Sequence, residues 1–417
     1  MTVSTSSATE IPPQKKTGYK AAFMLMSTLF FVWGAIVSLN DILIPHLKSL
    51  FHMNYTETML IQFCYFGAYF TMAVPASMVI GKIGYKKGIV LGLCVVGIGC
   101  LVFLPAAYLI SYGLFLFGLF IMATGNVFLQ VVGNPYVSIL GAPETASSRL
   151  NLAQGINSLA TTLAPLAGAY LILGKFESSA AHAASVQGPY LGLAVFVFII
   201  AAVFAVIKLP IIKNTSSPSG QTEGNVLKFR QLRLGVIALT LYVGAEVSIG
   251  SFIVSYLGQP YVAGLPEQAA AKYIPLYWGG LMIGRFAGSA ILQKFSAQKV
   301  LAIAAVAALF FVAITILTQG AVSMWAMLMV GLFNSIMWSN IFALSIDGLG
   351  DLTIKASGIL VMAPVGGAIL PLLQGVLADI PFIGIHYSYM LPLLCYLFIM
   401  YYGIDGYKSR AMKKAEA

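Results

Sequence analysis

The sequence contains few charged residues. Only 9% of its 417 residues are charged, whereas 59% are hydrophobic. Soluble domains carry about 25% charged residues, so this composition argues against a water-soluble enzyme or binding module. It predicts a chain that crosses a lipid bilayer several times.

Cysteine and histidine are also scarce, with four of each. The cysteines lie in apolar segments, where a free thiol behaves as a small hydrophobic group, and they form neither a disulfide framework nor a paired-cysteine metal pattern. No histidine lies beside a nucleophile within an apolar segment. We therefore expect no enzymatic activity and no tightly bound cofactor. The polar first twenty residues lack an apolar stretch with a small-residue cleavage site, so no cleaved signal peptide is expected.

The chain is rich in long apolar segments. A transmembrane helix needs about 20 mostly apolar residues, and twelve segments meet this requirement. The sequence therefore predicts an all-α membrane protein with twelve transmembrane helices. The expected spans are residues 21–47, 57–81, 88–109, 111–140, 149–174, 188–208, 231–259, 267–292, 299–318, 321–348, 355–379 and 387–406.

Basic residues are distributed unevenly between the loops. With the N-terminus in the cytoplasm, nineteen of the 23 lysines and arginines fall on the cytoplasmic side. The others are Lys48, Lys175 and Lys272 on the outer side and Arg285 within the eighth span. This positive-inside pattern predicts that both termini are cytoplasmic. Because the charge is spread over several loops, nucleic acid is not an expected partner.

The two halves of the chain resemble each other at a nearly constant offset. Residues 34–39 read Gly-Ala-Ile-Val-Ser-Leu and residues 244–249 read Gly-Ala-Glu-Val-Ser-Ile, while Asn134 parallels Asn340. Two parallel six-helix repeats predict the major facilitator fold, in which substrate is held between the halves near the midplane of the membrane. The expected organisation is a cytoplasmic tail at residues 1–20, six-helix halves at 21–208 and 231–406, a cytoplasmic linker at 209–230 and a cytoplasmic tail at 407–417.

Polar side chains inside the spans of the first half mark a candidate cavity. Unpaired polar groups are costly in hydrocarbon, so they are expected to face a cavity or another helix. Asn126, Gln130 and Asn134 are spaced i, i+4, i+8 and share one face of the fourth span. The remaining candidates in this half are Trp33, Asn40 and Asp41 in the first span, Gln62 in the second, and Gln154 and Asn157 in the fifth.

The second half combines one acid with aromatic residues and amides. Glu246 lies deep in the seventh span, where the repeat has Ile36 in the first half. Aromatic rings together with amide groups suit a monosaccharide, whose C–H faces stack on rings and whose hydroxyls need polar partners. The candidate sugar ligands beside Glu246 are Tyr277, Trp278, Asn334 and Trp338.

Each of these groups also has a structural interpretation. Amides in membrane helices often join neighbouring helices by hydrogen bonds, and the tryptophans are also compatible with packing or an interfacial belt. Asp41 lies about 20 residues into its helix, which is also compatible with the outer interface. Arg285 is interpreted as an anchor for the eighth span. Glu246 either binds sugar hydroxyls or pairs with a polar group on another helix.

Several local sequences resemble the fucose permease family of sugar–cation symporters within the major facilitator superfamily. They are LNDILIPHL, LIQFCYFGAYF, GYKKGI, GNPYVSILG and RLNLAQGINSL, and YVGAEVSIGSF is similar to the glucose/galactose permease branch. The resemblance implies a bacterial inner-membrane importer of a monosaccharide, driven by an ion gradient. It implies that Asp41 couples the cation and that Gln154 and Asn157 belong to the sugar cavity. Fucose permeases carry a second acid at the position of Gln130, so their two-carboxylate mechanism is not transferred unchanged.

The expected coupling ion is Na⁺ or H⁺. Asp41 is a candidate Na⁺ site, with amide oxygens of Asn40, Gln130 or Asn134 completing the shell of a hard cation. Alternatively, Asp41 takes up a proton and becomes neutral. A facilitative uniporter or an exporter of another small solute is the alternative function. The expected partners are the monosaccharide and the lipid bilayer, and we expect a monomer.

Overall fold

The computed structural model describes residues 16–51, 55–172, 185–207, 209, 225–266, 269–270 and 272–409. Within these ranges, the side chains of residues 16–19, 39–46, 48–49, 55–60, 62 and 164–172 lie outside the described part. The described residues form fifteen α-helices and no strand. The helices are α1 Lys16–Leu50, α2 Tyr55–Ile83, α3 Tyr85–Tyr108, α4 Tyr112–Ile139, α5 Ala146–Ile172, α6 Gln187–Val206, α7 Arg230–Leu257, α8 Ile274–Ile291, α9 Ala297–Leu317, α10 Gly320–Asn334, α11 Met337–Ile346, α12 Thr353–Leu360, α13 Gly366–Asp379, α14 Gly384–Ser388 and α15 Met390–Tyr401.

These helices confirm the all-α architecture of twelve helical segments. Helices α1 to α9 are the first nine segments, and the last three segments are each divided in two. Helices α10 and α11 form the tenth, α12 and α13 the eleventh, and α14 and α15 the twelfth, which ends in a π-helical turn at Tyr402–Gly406. We refer to α1–α6 as the first half and to α7–α15 as the second half.

The breaks in the tenth and eleventh segments have local causes. In the tenth, the Ser335 hydroxyl donates to the Leu332 carbonyl at 2.6 Å, and the Arg285 Nε donates to the Ser335 carbonyl at 3.4 Å. Both bonds compete with the regular backbone hydrogen bonds between residues four apart in the helix. In the eleventh, Pro364 lies in a 3₁₀ turn between α12 and α13. Proline has no N–H group, so the series of backbone hydrogen bonds is interrupted there.

Helices from the two halves meet at one end of the bundle. At this end, which we call the closed end, α2, α4 and α8 finish and α3, α5 and α7 begin. The Ser148 hydroxyl donates to the Ser289 carbonyl at 2.7 Å, and the Ser357 hydroxyl donates to the Val131 carbonyl at 3.0 Å. Helix α12 also approaches α2 closely, because Gly358 has no side chain. These contacts hold the two halves together at the closed end.

Helices α5 and α8 carry polar side chains where the two halves meet. Ten helical segments in the described part are long and apolar enough to cross a membrane. Helix α5 carries several amides, and α8 carries Arg285. The two helices pack extensively against each other across the halves. Each therefore covers part of the polar face of the other.

Candidate functional site

The amide stripe of α4 faces two tyrosines of α2. Gln130 Nε2 donates to the Tyr69 hydroxyl at 2.8 Å, and Asn126 Nδ2 approaches the Tyr65 hydroxyl at 3.4 Å. The two tyrosine hydroxyls are 3.2 Å apart, and the buried indole of Trp33 lies beside Tyr69. Sequence reasoning missed both tyrosines, although their spacing of four residues within a span was a usable signal.

The amides of α5 contact both α1 and α4. Asn157 Nδ2 donates to the Phe30 carbonyl of α1 at 2.9 Å, and Gln154 Nε2 approaches Asn134 Oδ1 at 3.5 Å. All three amide side chains are buried. Asn157 therefore also joins two helices, in keeping with the structural interpretation of membrane amides.

The coupling-ion candidates lie only partly within the described structure. Asn134 lies near α1, because a Cβ added at the neighbouring Gly133 would lie 3.3 Å from the Phe30 ring. The expectation that Asp41 shares an ion with Asn134 or Gln130 stays a prediction. The side chains of Asn40, Asp41 and Gln62 lie outside the described residues, although their backbones are helical.

Glu246 of α7 is held by two groups from its own half. The Tyr242 hydroxyl donates to Glu246 Oε1 at 2.8 Å, and Arg285 Nη2 lies 4.0 Å from the same oxygen. The described side chains give Glu246 Oε2 no hydrogen-bond partner, and this oxygen is not sealed from solvent. One carboxylate oxygen is thus fixed while the other can accept a hydrogen bond from a ligand.

Arg285 also reaches across to the first half. Its Nη1 donates to the Ser158 hydroxyl and approaches the Gln154 carbonyl at 3.5 Å, both in α5. The guanidinium group therefore lies between a carboxylate of α7 and two oxygen atoms of α5. This adds an electrostatic contact between the halves to the anchoring role expected from the sequence. Sequence reasoning missed Tyr242, although Tyr242 precedes Glu246 by one helical turn.

Tyr277 and Asn334 are already paired with each other. Asn334 Nδ2 donates to the Tyr277 hydroxyl at 2.9 Å, and that hydroxyl donates to the Glu246 carbonyl at 3.1 Å. The Tyr396 hydroxyl, which sequence reasoning also missed, donates to Asn334 Oδ1 at 2.8 Å. Tyr277 and Asn334 are fully buried. The expectation that they bind sugar directly stays a prediction, and in this conformation their chain of hydrogen bonds joins α7, α8, α10 and α15.

Two tryptophans of the second half have different surroundings. Trp278 is 43% exposed, and its ring packs over Gly250 and edge-on to Tyr277. Trp338 is partly buried and stacks on Phe342, with ring centroids 5.1 Å apart and planes inclined by 15°. Trp278 therefore keeps much of its ring surface available for a ligand, whereas one face of Trp338 is covered.

Arg285 joins the carboxylate of Glu246 to α5, and we call these residues and their partners the polar centre between the two halves. Amides and tyrosine hydroxyls are hydrogen-bonded within each half, and the exposed indole of Trp278 lies beside Tyr277. Such a set can donate and accept several hydrogen bonds to a neutral polyhydroxyl molecule. Among the described residues, no group of three histidine, cysteine or acidic side chains could hold a metal ion.

Comparison with known proteins identifies the family. Residues 21–363 match the sequence model of the Major Facilitator Superfamily. The chain belongs to the major facilitator superfamily. It is therefore a multi-pass membrane protein, as its apolar helices indicated.

Relatives are similar over nearly the whole chain. A glucose/galactose transporter from Brucella abortus is 50% identical over 96% of this chain and 97% of its own length. The L-fucose-proton symporter of Escherichia coli is 31% identical over 91% of this chain and 92% of its own. A crystal structure of the E. coli fucose:proton symporter matches with a TM-score of 0.85 at 30% identity, over 93% of this chain and 98% of that one.

Proposed function

We propose that this protein is a secondary active symporter that imports a monosaccharide, either glucose, galactose or a related hexose. Its similarity to a glucose/galactose transporter over nearly the full length supports this substrate class. The named relatives are transporters, which agrees with the expectation that the chain is not an enzyme. The structural observation that carries the proposal is Glu246, whose carboxylate lies 4.0 Å from Arg285, and Arg285 in turn contacts Ser158 and the Gln154 carbonyl of α5 in the other half.

In this proposal, the sugar lies between α5, α7 and α8. Glu246 accepts a hydrogen bond from a sugar hydroxyl, and Arg285 orients the carboxylate. Trp278 stacks on a C–H face of the ring, as aromatic side chains do with apolar surfaces. Gln154 provides an amide from the first half. Tyr277 and Asn334 hold the helices of the second half in place around the site. The remaining candidates for the wall of the cavity are Trp33, Gln62, Asn126, Asn157 and Trp338.

We propose that Asp41 carries the coupling cation. A carboxylate within a membrane span resists the exclusion of water, so the cavity closes only after Asp41 is loaded by Na⁺ or H⁺. Asn40, Gln130 and Asn134 are the amides proposed to assist it. Similarity to proton symporters favours H⁺, whereas the replacement of their second acid by Gln130 favours a single-carboxylate site that suits Na⁺ as well.

The closed end is proposed to be the cytoplasmic end. The excess of basic residues in the loops on this side supports cytoplasmic termini, and the related symporters support a bacterial inner membrane. The contacts between α5 and α8 and between α2 and α12 then close the cytoplasmic side, while sugar enters from outside. One chain contains both halves of the site, so a monomer is sufficient for transport.

The proposal is tested by uptake of labelled glucose and galactose into proteoliposomes under an inward Na⁺ gradient or an inward H⁺ gradient. Accumulation with one ion and its loss in Asp41→Asn are expected, with sugar exchange partly retained by the variant. Equilibration without accumulation under either gradient would instead identify a facilitative uniporter. Failure of both sugars to enter would support an exporter of another solute.

A separate measurement tests the role of Glu246. Glu246→Gln keeps the size of the side chain but weakens its acceptance of hydrogen bonds. We expect the affinity for the transported hexose to fall by about tenfold, since a hydrogen bond to a charged group contributes roughly 1.5–3 kcal/mol. Unchanged affinity for every tested hexose would remove Glu246 from the sugar site.

A further inference from the structure

The amide stripes of α4 and α5 continue beyond the polar centre towards the closed end. Asn134 lies five residues before the end of α4, and Asn151 lies five residues after the start of α5. Both are therefore about 8 Å from the closed end along their helices. Gln154, one turn above Asn151, reaches Asn134. The two asparagines thus lie on two helices in contact, at a similar distance from the closed end.

Their hydrogen-bonding capacity is only partly used. Asn134 and Asn151 are completely buried. Asn151 Nδ2 donates to the Ser147 carbonyl at 3.0 Å and to Asn340 Oδ1 of the second half at 3.2 Å. Within the described part of the chain, Asn134 Nδ2 and Asn151 Oδ1 have no partner. Buried polar groups are normally satisfied, so these two orphaned atoms require an explanation.

These two atoms have complementary chemistry. Asn134 Nδ2 is a donor and Asn151 Oδ1 is an acceptor. A hydroxyl group accepts from the first and donates to the second. Asparagines that only join helices would use these atoms on each other or on the backbone.

The contact with Asn340 depends on the conformation of the transporter. The bond between Asn151 and Asn340 joins the two halves, as does the nearby bond from Ser148 to the Ser289 carbonyl. Separation of the halves at the closed end would break both bonds and uncover Asn151 and Asn340, with Asn134 on the neighbouring helix.

We propose that Asn134, Asn151 and Asn340 form a second sugar subsite on the exit path, which is masked while the closed end is shut. This inference rests on the proposed transport of a monosaccharide. The sugar leaves Glu246 and the α5 amides and is next held through its hydroxyls by the three asparagines. The hydrogen bond between Asn151 and Asn340 closes the path while the closed end is shut. When this end opens, the same two side chains become ligands for the sugar.

The test compares the two faces of the membrane. Exchange of labelled glucose and galactose is measured in right-side-out and in everted vesicles, for wild type, Asn134→Leu and Asn151→Leu. Leucine fills a similar volume and removes the orphaned polar atom together with the bonds that each asparagine makes. Exchange by both variants in right-side-out vesicles shows that they fold. Ser148→Ala is the matched control, because it removes a contact between the halves at the same end and leaves the amides in place.

We expect the half-saturating sugar concentration in everted vesicles to rise about fivefold or more in both asparagine variants, which corresponds to a lost hydrogen bond. In right-side-out vesicles it should change by less than about twofold. Ser148→Ala should not raise it in either orientation. If the asparagine variants match wild type or Ser148→Ala in everted vesicles, the amides are only a gate and the subsite is refuted. If wild type exchanges no hexose in either orientation, the proposed function itself fails.

Discussion

Replacement of Arg285 tests how strongly its charge stabilises Glu246 and the contact between the two halves. In the structure this guanidinium group lies 4.0 Å from Glu246 and also donates to Ser158 in the other half. Arg285→Met keeps most of the apolar length of the side chain and removes its charge. The variant leaves Glu246 with Tyr242 as its hydrogen-bond donor but without a counter-charge.

The magnitude follows from the geometry. Two unit charges 4.0 Å apart interact by about 4 kcal/mol at an effective dielectric constant of about 20. Both side chains are largely buried, with 15% and 11% of their surfaces exposed, so screening by solvent is modest. Removing one partner of a buried pair costs about 3–5 kcal/mol. We therefore expect Arg285→Met to lower the free energy of unfolding by about 3 kcal/mol.

A double-mutant cycle separates the ion pair from the other contacts of Arg285. In a Glu246→Gln background, no buried carboxylate is left unpaired, so Arg285→Met should cost only about 1 kcal/mol. The expected coupling energy is then about 2 kcal/mol, within the range found for residues in contact. Unfolding is followed by titration with a denaturing detergent in mixed micelles. Lys294→Met, which removes an exposed cation just beyond α8, is the control and should change little.

A small coupling energy would refute this reasoning. If the cycle gives less than about 0.5 kcal/mol, which is the usual additivity error for distant sites, then Arg285 does not stabilise the charge of Glu246. If Lys294→Met is as destabilising as Arg285→Met, the effect reflects net charge and not the pair.

Three further predictions concern other parts of the molecule. Gly34→Ala should impair folding and uptake, because its Cβ would meet the backbone and side chain of Asn157 in α5, whereas Gly279→Ala has nothing within 4 Å and should be silent in both assays. Trp278→Ala should weaken hexose affinity about three- to tenfold, as measured by binding, because an aromatic contact contributes roughly 0.5–1.5 kcal/mol. Burial raises the pKa of Asp347, which lies between two spans. Its neutral form therefore stabilises the fold at low pH, and this stability is lost as pH rises through the raised pKa. Asp347→Asn should accordingly raise the melting temperature at pH 7, and the gain should disappear in acid.

Hydropathy and periodicity predicted most of the fold. The twelve apolar segments were sufficient to predict the helices, because a chain that crosses the membrane must satisfy its own backbone hydrogen bonds. The break in the eleventh segment was accessible to prediction through Pro364. The break in the tenth was not, because it depends on Ser335 and on Arg285 from a helix that lies fifty residues earlier in the chain.

The candidate site was predicted less completely. Spacing identified the stripe of Asn126, Gln130 and Asn134, because residues four apart share a helical face. It did not give the partners across helices, since these depend on packing between distant parts of the chain. Tyr277 and Asn334 illustrate the consequence. Each looked like a ligand when considered alone, and the structure pairs them with each other.

The mutual dependence of α5 and α8 has a consequence for how the protein is made. The ribosome completes α5 about one hundred residues before α8 emerges. During that interval α1 and α4 already contact the amides of α5, through Asn157 and Gln154, but the side of α5 that packs on α8 is uncovered. The insertion machinery must therefore retain the first half, or shield α5 from lipid, until α8 is synthesised. A first half expressed alone should be retained at the translocon and degraded, and co-expression of the second half should rescue it.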